Sequence, residues 1–287
     1  MSDHMQIEFL GTGGAISIPR PGCLCEVCEE ARQKGSPYSR SGPSLFVHGP
    51  NILIDTPEEI KDQLNRANIS HISACFYSHW HPDHVMGRRV WEMNMDWRNW
   101  PPQHKNTDIY LPERVARDFK EFLGSWEHLD FFQSKGIISI NVLPNGKSVT
   151  FQEIEITPFP LAEEYVYAFI FQGHDKRVLI APDELVGWKP DKSLGHFDLV
   201  IVPMGIANLN PLSGETNIPS DHPVLNLEAT FEETLTILEG VHADRIIMTH
   251  IEEPDQLSYD DFLELEAILT KQGRNIKFAY DGMIIDV

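Results

Sequence analysis

Short apolar runs recur along the chain, each closed by Gly, Pro, Asn or Asp, and they restrict the folds open to it. QIEFLG (6–11), SLFVHG (44–49), NILIDT (51–56) and ISACFYS (72–78) occupy the first half. IEITPFP (154–160), YAFIFQ (167–172), RVLIAP (177–182), DLVIVP (198–203), RIIMTH (245–250) and GMIIDV (282–287) follow in the second. Helical signals fall between some of them. Thr56, Pro57 and Glu59 read as a cap, a first-turn proline and a capping-box acid for a helix to about Ala67. Val115, Phe119, Phe122 and Leu123 have helical spacing over 113–123. NLEATFEETLTILEG predicts a helix ending at Gly240, and Ser258 with Asp261 starts another that stops near Gly273. Strands with helices between some of them favour a layered α/β sandwich over an all-β barrel.

Charge narrows the function. The net charge is -20, with 43 acidic against 23 basic residues, so nucleic acid is disfavoured as the main partner. A small-molecule substrate held by metal cations rather than by Lys and Arg fits this balance better. Hydrophobic content of 41% is that of a soluble globular protein, and no apolar run approaches the ~18 residues of a membrane span. The opening MSDHMQIEFLGTGG has no basic n-region or apolar h-region, which predicts a cytoplasmic location.

Two clusters carry metal-ligand chemistry. In SHWHPDH, His79, His81, Asp83 and His84 follow a buried-looking strand, on a loop where ligands can converge. Histidines two apart can face one way while Asp83 and His84 face another, so one loop can serve two adjacent metals. Cys23, Cys25 and Cys28 in CLCEVC are spaced for a shared ion rather than for disulfides. Cys75, alone in an apolar run, reads as a buried strand residue.

The HxHxDH pattern resembles the signature of the metallo-β-lactamase superfamily. The resemblance runs along nearly the whole chain, through FLGTGGA, NILIDT, SHWHPDH, the aspartate of VLIAPDE, IIMTH and YDGM. It implies an αβ/βα four-layer sandwich with a binuclear centre at one edge, as a single domain of two halves, about 1–150 and 151–287. It also implies a ligand set. One metal takes His79, His81 and a third histidine; the other takes Asp83, His84 and His250; Asp183 bridges them. The opening GTGGAISIPRPGCLCEVC is further similar to the phosphoribosyl cyclic phosphodiesterases of the carbon–phosphorus lyase pathway. This implies a structural zinc on Cys23, Cys25 and Cys28, with His222 as fourth ligand. Asp55 resembles the family's buried aspartate that holds the ligand loop. Gly11, Gly13 and Gly14 permit a tight turn near the site.

The chain departs from that pattern in two places. The third histidine is replaced in ITPFPLAEEYVYAF, where Glu163 aligns best and Glu164 follows; a carboxylate ligand shifts preference toward harder ions. VIVPMGIANLN lacks the histidine that the cyclic phosphodiesterases carry near their active site. The leading expectation is a hydrolase of a small phosphodiester, cyclic diesters included. It would use two divalent ions (Zn, Mn or Fe) and a hydroxide held between them, oriented by Asp83 and Asp183. The alternatives are lactone or thioester hydrolysis, ribonuclease Z-like processing, or an accessory role like that of the pyrroloquinoline quinone biosynthesis B protein. The insert with Trp91, Trp97 and Trp100 reads as a lid or as the contact of a homodimer.

Overall fold

The structure, a computed structural model, describes residues 5–96, 98–99, 106–173 and 175–287. The first sheet contains β1 (Gln6–Gly11), β2 (Ser44–His48), β3 (Ile52–Ile54), β4 (Ala74–Phe76), β5 (Thr107–Pro112) and β6 (Ile138–Leu143). The second contains β7 (Val149–Phe151), β8 (Ile154–Pro160), β9 (Tyr167–Gly173), β10 (Lys176–Ile180), β11 (His196–Pro203), β12 (His242–Thr249) and β13 (Ile276–Phe278). The last strand, β14 (Ile284–Asp286), returns to pair with β1, so the sheet orders are β14-β1-β2-β3-β4-β5-β6 and β13-β12-β11-β10-β9-β8-β7.

Period-two alternation makes the sandwich. Along the second sheet, Phe169, Phe171, Val178, Ile180, Leu199 and Ile201 share one core with Phe9, Phe46, Leu53 and Phe76 of the first. Their neighbours Leu179, Ala181, Val200 and Val202 face the other way, toward α6 (Phe231–Leu238) and α7 (Tyr259–Lys271). On the outside of the first sheet, α4 (Glu113–Glu121) and α5 (Ser125–Ser134) pack against β5 and β6. Helix, sheet, sheet, helix is the expected four-layer αβ/βα order. No helix among the described residues is long and apolar enough to cross a membrane.

Strands β3, β4 and β5 run parallel, as do β10, β11, β12 and β13. Their carboxyl ends gather loops at one edge, where open α/β sheets place ligands. One expected cap is used differently there. The helix after β3, α2 (Ile60–Arg66), starts later than expected and Thr56 does not cap it. Thr56 instead clamps the loop after β4. Its N–H donates to the His84 carbonyl (2.7 Å), its carbonyl accepts from Gly87 N–H (2.8 Å), and its hydroxyl pairs with Tyr77 (2.9 Å). A Cβ on Gly87 would sit 1.8 Å from the Pro57 carbonyl oxygen, so only glycine permits this approach. Trp91 is not part of a lid: it is fully buried and its indole donates to the Tyr77 hydroxyl. Trp97 and Trp100 lie outside the described residues.

Candidate metal centre

The loop after β4 carries Ser78 to His84, with Pro82–Val85 forming the short helix α3. Across from it, Asp183 follows β10 and His250 follows β12. Five side chains converge: His79, Asp83, His84, Asp183 and His250. His79 Nε2 is 3.2 Å from Asp183 Oδ2, and His84 Nε2 is 3.3 Å from Asp83 Oδ2 and 3.6 Å from Asp183 Oδ2. His250 Nε2 is 3.3 Å from Asp183 Oδ1 and 3.6 Å from Asp83 Oδ2. Asp183 therefore turns one oxygen to His79 and His84 and the other to His250, which suits a bridging carboxylate. Two ligands about 2.1 Å from one ion lie roughly 3.0–3.4 Å apart; the 3.2 and 3.3 Å separations fall within that range and the 3.6 Å ones just beyond it.

The histidine tautomers follow from hydrogen bonding. Ser78 Oγ donates its one proton to Asp55 Oδ2 (2.6 Å), so at 3.0 Å it accepts from His79 Nδ1–H. His84 Nδ1–H donates to the same Asp55 oxygen (2.8 Å), and Ser78 N–H donates to Asp55 Oδ1 (2.8 Å). In their neutral forms both rings thus present an Nε2 lone pair to the cluster. Without metal, Asp83 and Asp55 raise His84 well above the ordinary histidine value despite its burial, so a cation there would displace a proton. His79 Nε2 is buried and, despite its closeness to Asp183, lies off the line a hydrogen bond requires. An unpartnered buried lone pair beside the Asp183 carboxylate fits a metal ion. Asp55 and His250 both hold left-handed backbone, with φ of 60° and 54°, which is uncommon outside glycine and concentrates at functional sites.

Electrostatics point the same way. Burial pushes Asp83 up, but the imidazoles of His84 and His250 more than offset this and hold it well below the ordinary carboxylate value. Asp183 is likewise depressed against burial by His250 and His79. Burial works against charge on His250, yet Asp183 and Asp83 raise it to about 10. The carboxylates therefore stabilise positive charge at this spot, whether it arrives as protons or as metal. His81 has its ring 4.6 Å from His79 and is lowered to about 4 by burial and by that neighbour, so at neutral pH one ring nitrogen keeps its lone pair free.

Glu163 does not join the cluster. It lies exposed on the turn after β8, where its carbonyl accepts from Val166 N–H, and Tyr165 approaches the histidines instead. The Tyr165 ring is 5.5 Å from His81 and 6.2 Å from His79, and burial with the nearby Glu163 charge pushes its phenol up to about 12. Behind Asp183 and His250 lies a cavity of about 20 Å³ lined also by Glu184, Glu228, Glu252 and Asp255. Burial pushes Glu184 up to about 8, Glu252 to about 7 and Asp255 to about 6.

The three cysteines gather a fourth donor, but it is Glu253 rather than His222. Glu253 Oε1 is 3.1 Å from Cys23 Sγ and 3.3 Å from Cys25 Sγ, and Cys28 completes the group. His222 is exposed and caps a 3-10 turn, with Nδ1 accepting from Val224 N–H. The cap engages Nδ1 only, and His222 is not among the donors grouped with the cysteines in this structure. Arg20 Nε sits 3.1 Å from Glu253 Oε2 and offsets the charge of the acid. Burial raises the Cys25 thiol to about 12, so metal-free Cys25 stays protonated. Glu253, Tyr165 and Ser78 are the site residues that sequence reasoning missed. Only Ser78, directly ahead of the motif, stood next to a readable signal.

A family model described as a beta-lactamase superfamily domain matches residues 50–251. Among solved structures, a diphosphatase from the PhnP family superposes with a TM-score of 0.70 at 20% identity, covering 99% of this chain and 98% of that one. Zn(2+)-bound PqqB from Methylobacterium extorquens gives 0.70 at 14% identity over 98% and 100% of the chains. The short form of human tRNase Z gives 0.62 at 15% identity over 98% of each. At such identities these likenesses concern the fold. One curated protein, an octanoyltransferase from Porphyromonas gingivalis, is 34% identical over 86 residues, which is 29% of this chain but only 17% of that protein's length.

Proposed function

Because the chain belongs to the beta-lactamase superfamily, we propose that it is a metal-dependent hydrolase of a small phosphodiester, cyclic diesters included. The observation that carries the reading is the convergence of two carboxylates and three imidazoles at ion-sharing distances, with the His79 lone pair unpartnered. In this reading His79 and His81 hold one ion, Asp83, His84 and His250 hold the other, and Asp183 bridges. Zinc, manganese or iron at these positions would supply Lewis-acid charge and an activated water. Asp83 and Asp183 offer carboxylate oxygens to orient the attacking water and accept its proton. Asp55 and Ser78 keep His79 and His84 in the tautomer that presents Nε2. Cys23, Cys25, Cys28 and Glu253 would hold a separate, structural zinc.

Hydrolysis of bis(p-nitrophenyl) phosphate and cyclic nucleotides, measured with Mn, Zn, Fe and Ni, tests the proposal. Turnover abolished by His81→Ala is the expected result. Metal analysis that finds only a cysteine-bound ion after resupply would sink it. A second reading, hydrolysis of an acyl ester or thioester, draws support from the 86-residue match to an octanoyltransferase. A p-nitrophenyl acyl ester in the same screen separates the two.

A further inference from the structure

His81 has aromatic neighbours on an otherwise acidic centre. The Trp80 ring lies 4.7 Å from it and the Tyr165 ring 5.5 Å. Trp80 in turn stacks on Phe122, with ring centroids 4.2 Å apart and planes inclined by only 26°. Phe122 is 37% exposed and Leu123 beside it 44% exposed, a costly placement for two large apolar side chains. The backbone holds them there. Helix α4 ends at Glu121, Leu123 (φ 59°) and Gly124 (φ 58°) both take left-handed conformations, and the buried Arg88 guanidinium donates to the Leu123 carbonyl (2.7 Å). The rim is therefore a built feature, continuous through Trp80 with the proposed ligands.

Asp83 and Asp183 have only histidines as ion-pair partners among the described residues, so the apolar rim borders an acidic centre.

We infer that Trp80, Phe122 and Leu123 form a subsite for an aryl or similarly flat apolar group attached next to the scissile bond. The inference rests on the proposed metal centre for the position of the reacting atoms. It deepens that reading by naming the substrate class. A flat ring laid on Phe122 and Trp80 gains apolar burial and stacking that a methyl group cannot, about tenfold in affinity.

Calorimetric titration of the manganese-loaded protein with diphenyl phosphate and dimethyl phosphate tests this without requiring turnover, so its result is independent of the hydrolase assay above. Diphenyl phosphate is expected to bind at least tenfold tighter. Phe122→Ala, at a half-open surface position, and Trp80→Ala should each bring the ratio below threefold, while Trp80→Phe restores the preference. Equal affinity for the two ligands in the unsubstituted protein overturns the inference. So does a tenfold preference that survives both alanine substitutions.

Discussion

Asp55 accepts from Ser78 N–H, Ser78 Oγ–H and His84 Nδ1–H, all within 2.8 Å, at a backbone angle that few aspartates adopt. Two of these bonds, one relayed through Ser78, decide which nitrogen of His79 and His84 faces the centre. Asp55→Asn replaces one acceptor oxygen by a donor. It is therefore expected to turn an imidazole or to rotate the Ser78 hydroxyl away from residue 55. Supporting residues of this kind are worth about 10–100-fold in metal affinity. Chelator competition on the folded variant should show a loss in that range; unchanged metal retention would mean that Asp55 is only a strand-end cap. The cysteine site offers a second test at this scale. Glu253→Ala should lower its zinc content or affinity, whereas His222→Ala should leave zinc bound, as measured by metal analysis after dialysis. The opposite pattern would restore the histidine to the site and remove the acid.

Elements explain why the centre was partly readable. The motif histidines and aspartates could be found because each follows a strand with an apolar run at or near its end: ACF before Ser78, VLI before Asp183, IIM before His250. Less regular segments were illegible. β5 and β6 carry Asp108 and Asn141 inside their apolar runs, β7 and β13 have three residues each, and α1 (Glu26–Lys34) buries only Cys28 and Ala31. The helix expected from residue 226 begins at Phe231, because Thr230 and Glu233 form its capping box and the preceding residues make a separate turn. The acid beside the cysteines was illegible for the same reason. Glu253 reaches the cysteines only because the segment after β12 runs beside the glycine-rich loop, with Ile251 N–H bonded to Thr12 O and Glu253 N–H to Ile16 O. No sequence period encodes that contact. Gly14 tests it. A Cβ there would lie 2.5 Å from His250 Nδ1 and from Glu252 Oε1, so in Gly14→Ala either these side chains or the loop must shift, and a shift of the His250 ring is expected. Activity with manganese is expected to fall at least tenfold while thermal unfolding stays cooperative; wild-type activity would show that the loop yields without moving His250.

At the scale of the molecule, an acidic chain concentrates buried acid around one centre, and metal-free protein must neutralise it with protons. Glu184 and Glu252 ordinarily ionise near 4.5, but in the fold they do so near 8 and 7 because burial disfavours their charge. Between those limits the folded state binds more protons than the unfolded state, so stability falls as pH rises. His250 acts with the same sign between 6.5 and 10, since the folded protein keeps its proton longer. His81 acts oppositely, but its change is confined to the interval from 6.5 down to about 4. From pH 6.5 to 8 these contributions therefore add. Thermal melts in chelator should show the midpoint dropping across that window. Manganese or zinc should raise the midpoint most at pH 8, where the carboxylates have lost their protons and binding a cation displaces fewer of them. A midpoint that stays level from pH 6.5 to 8 without metal, or a metal-induced shift that shrinks as pH rises, would show that the buried acids are not what the ions neutralise.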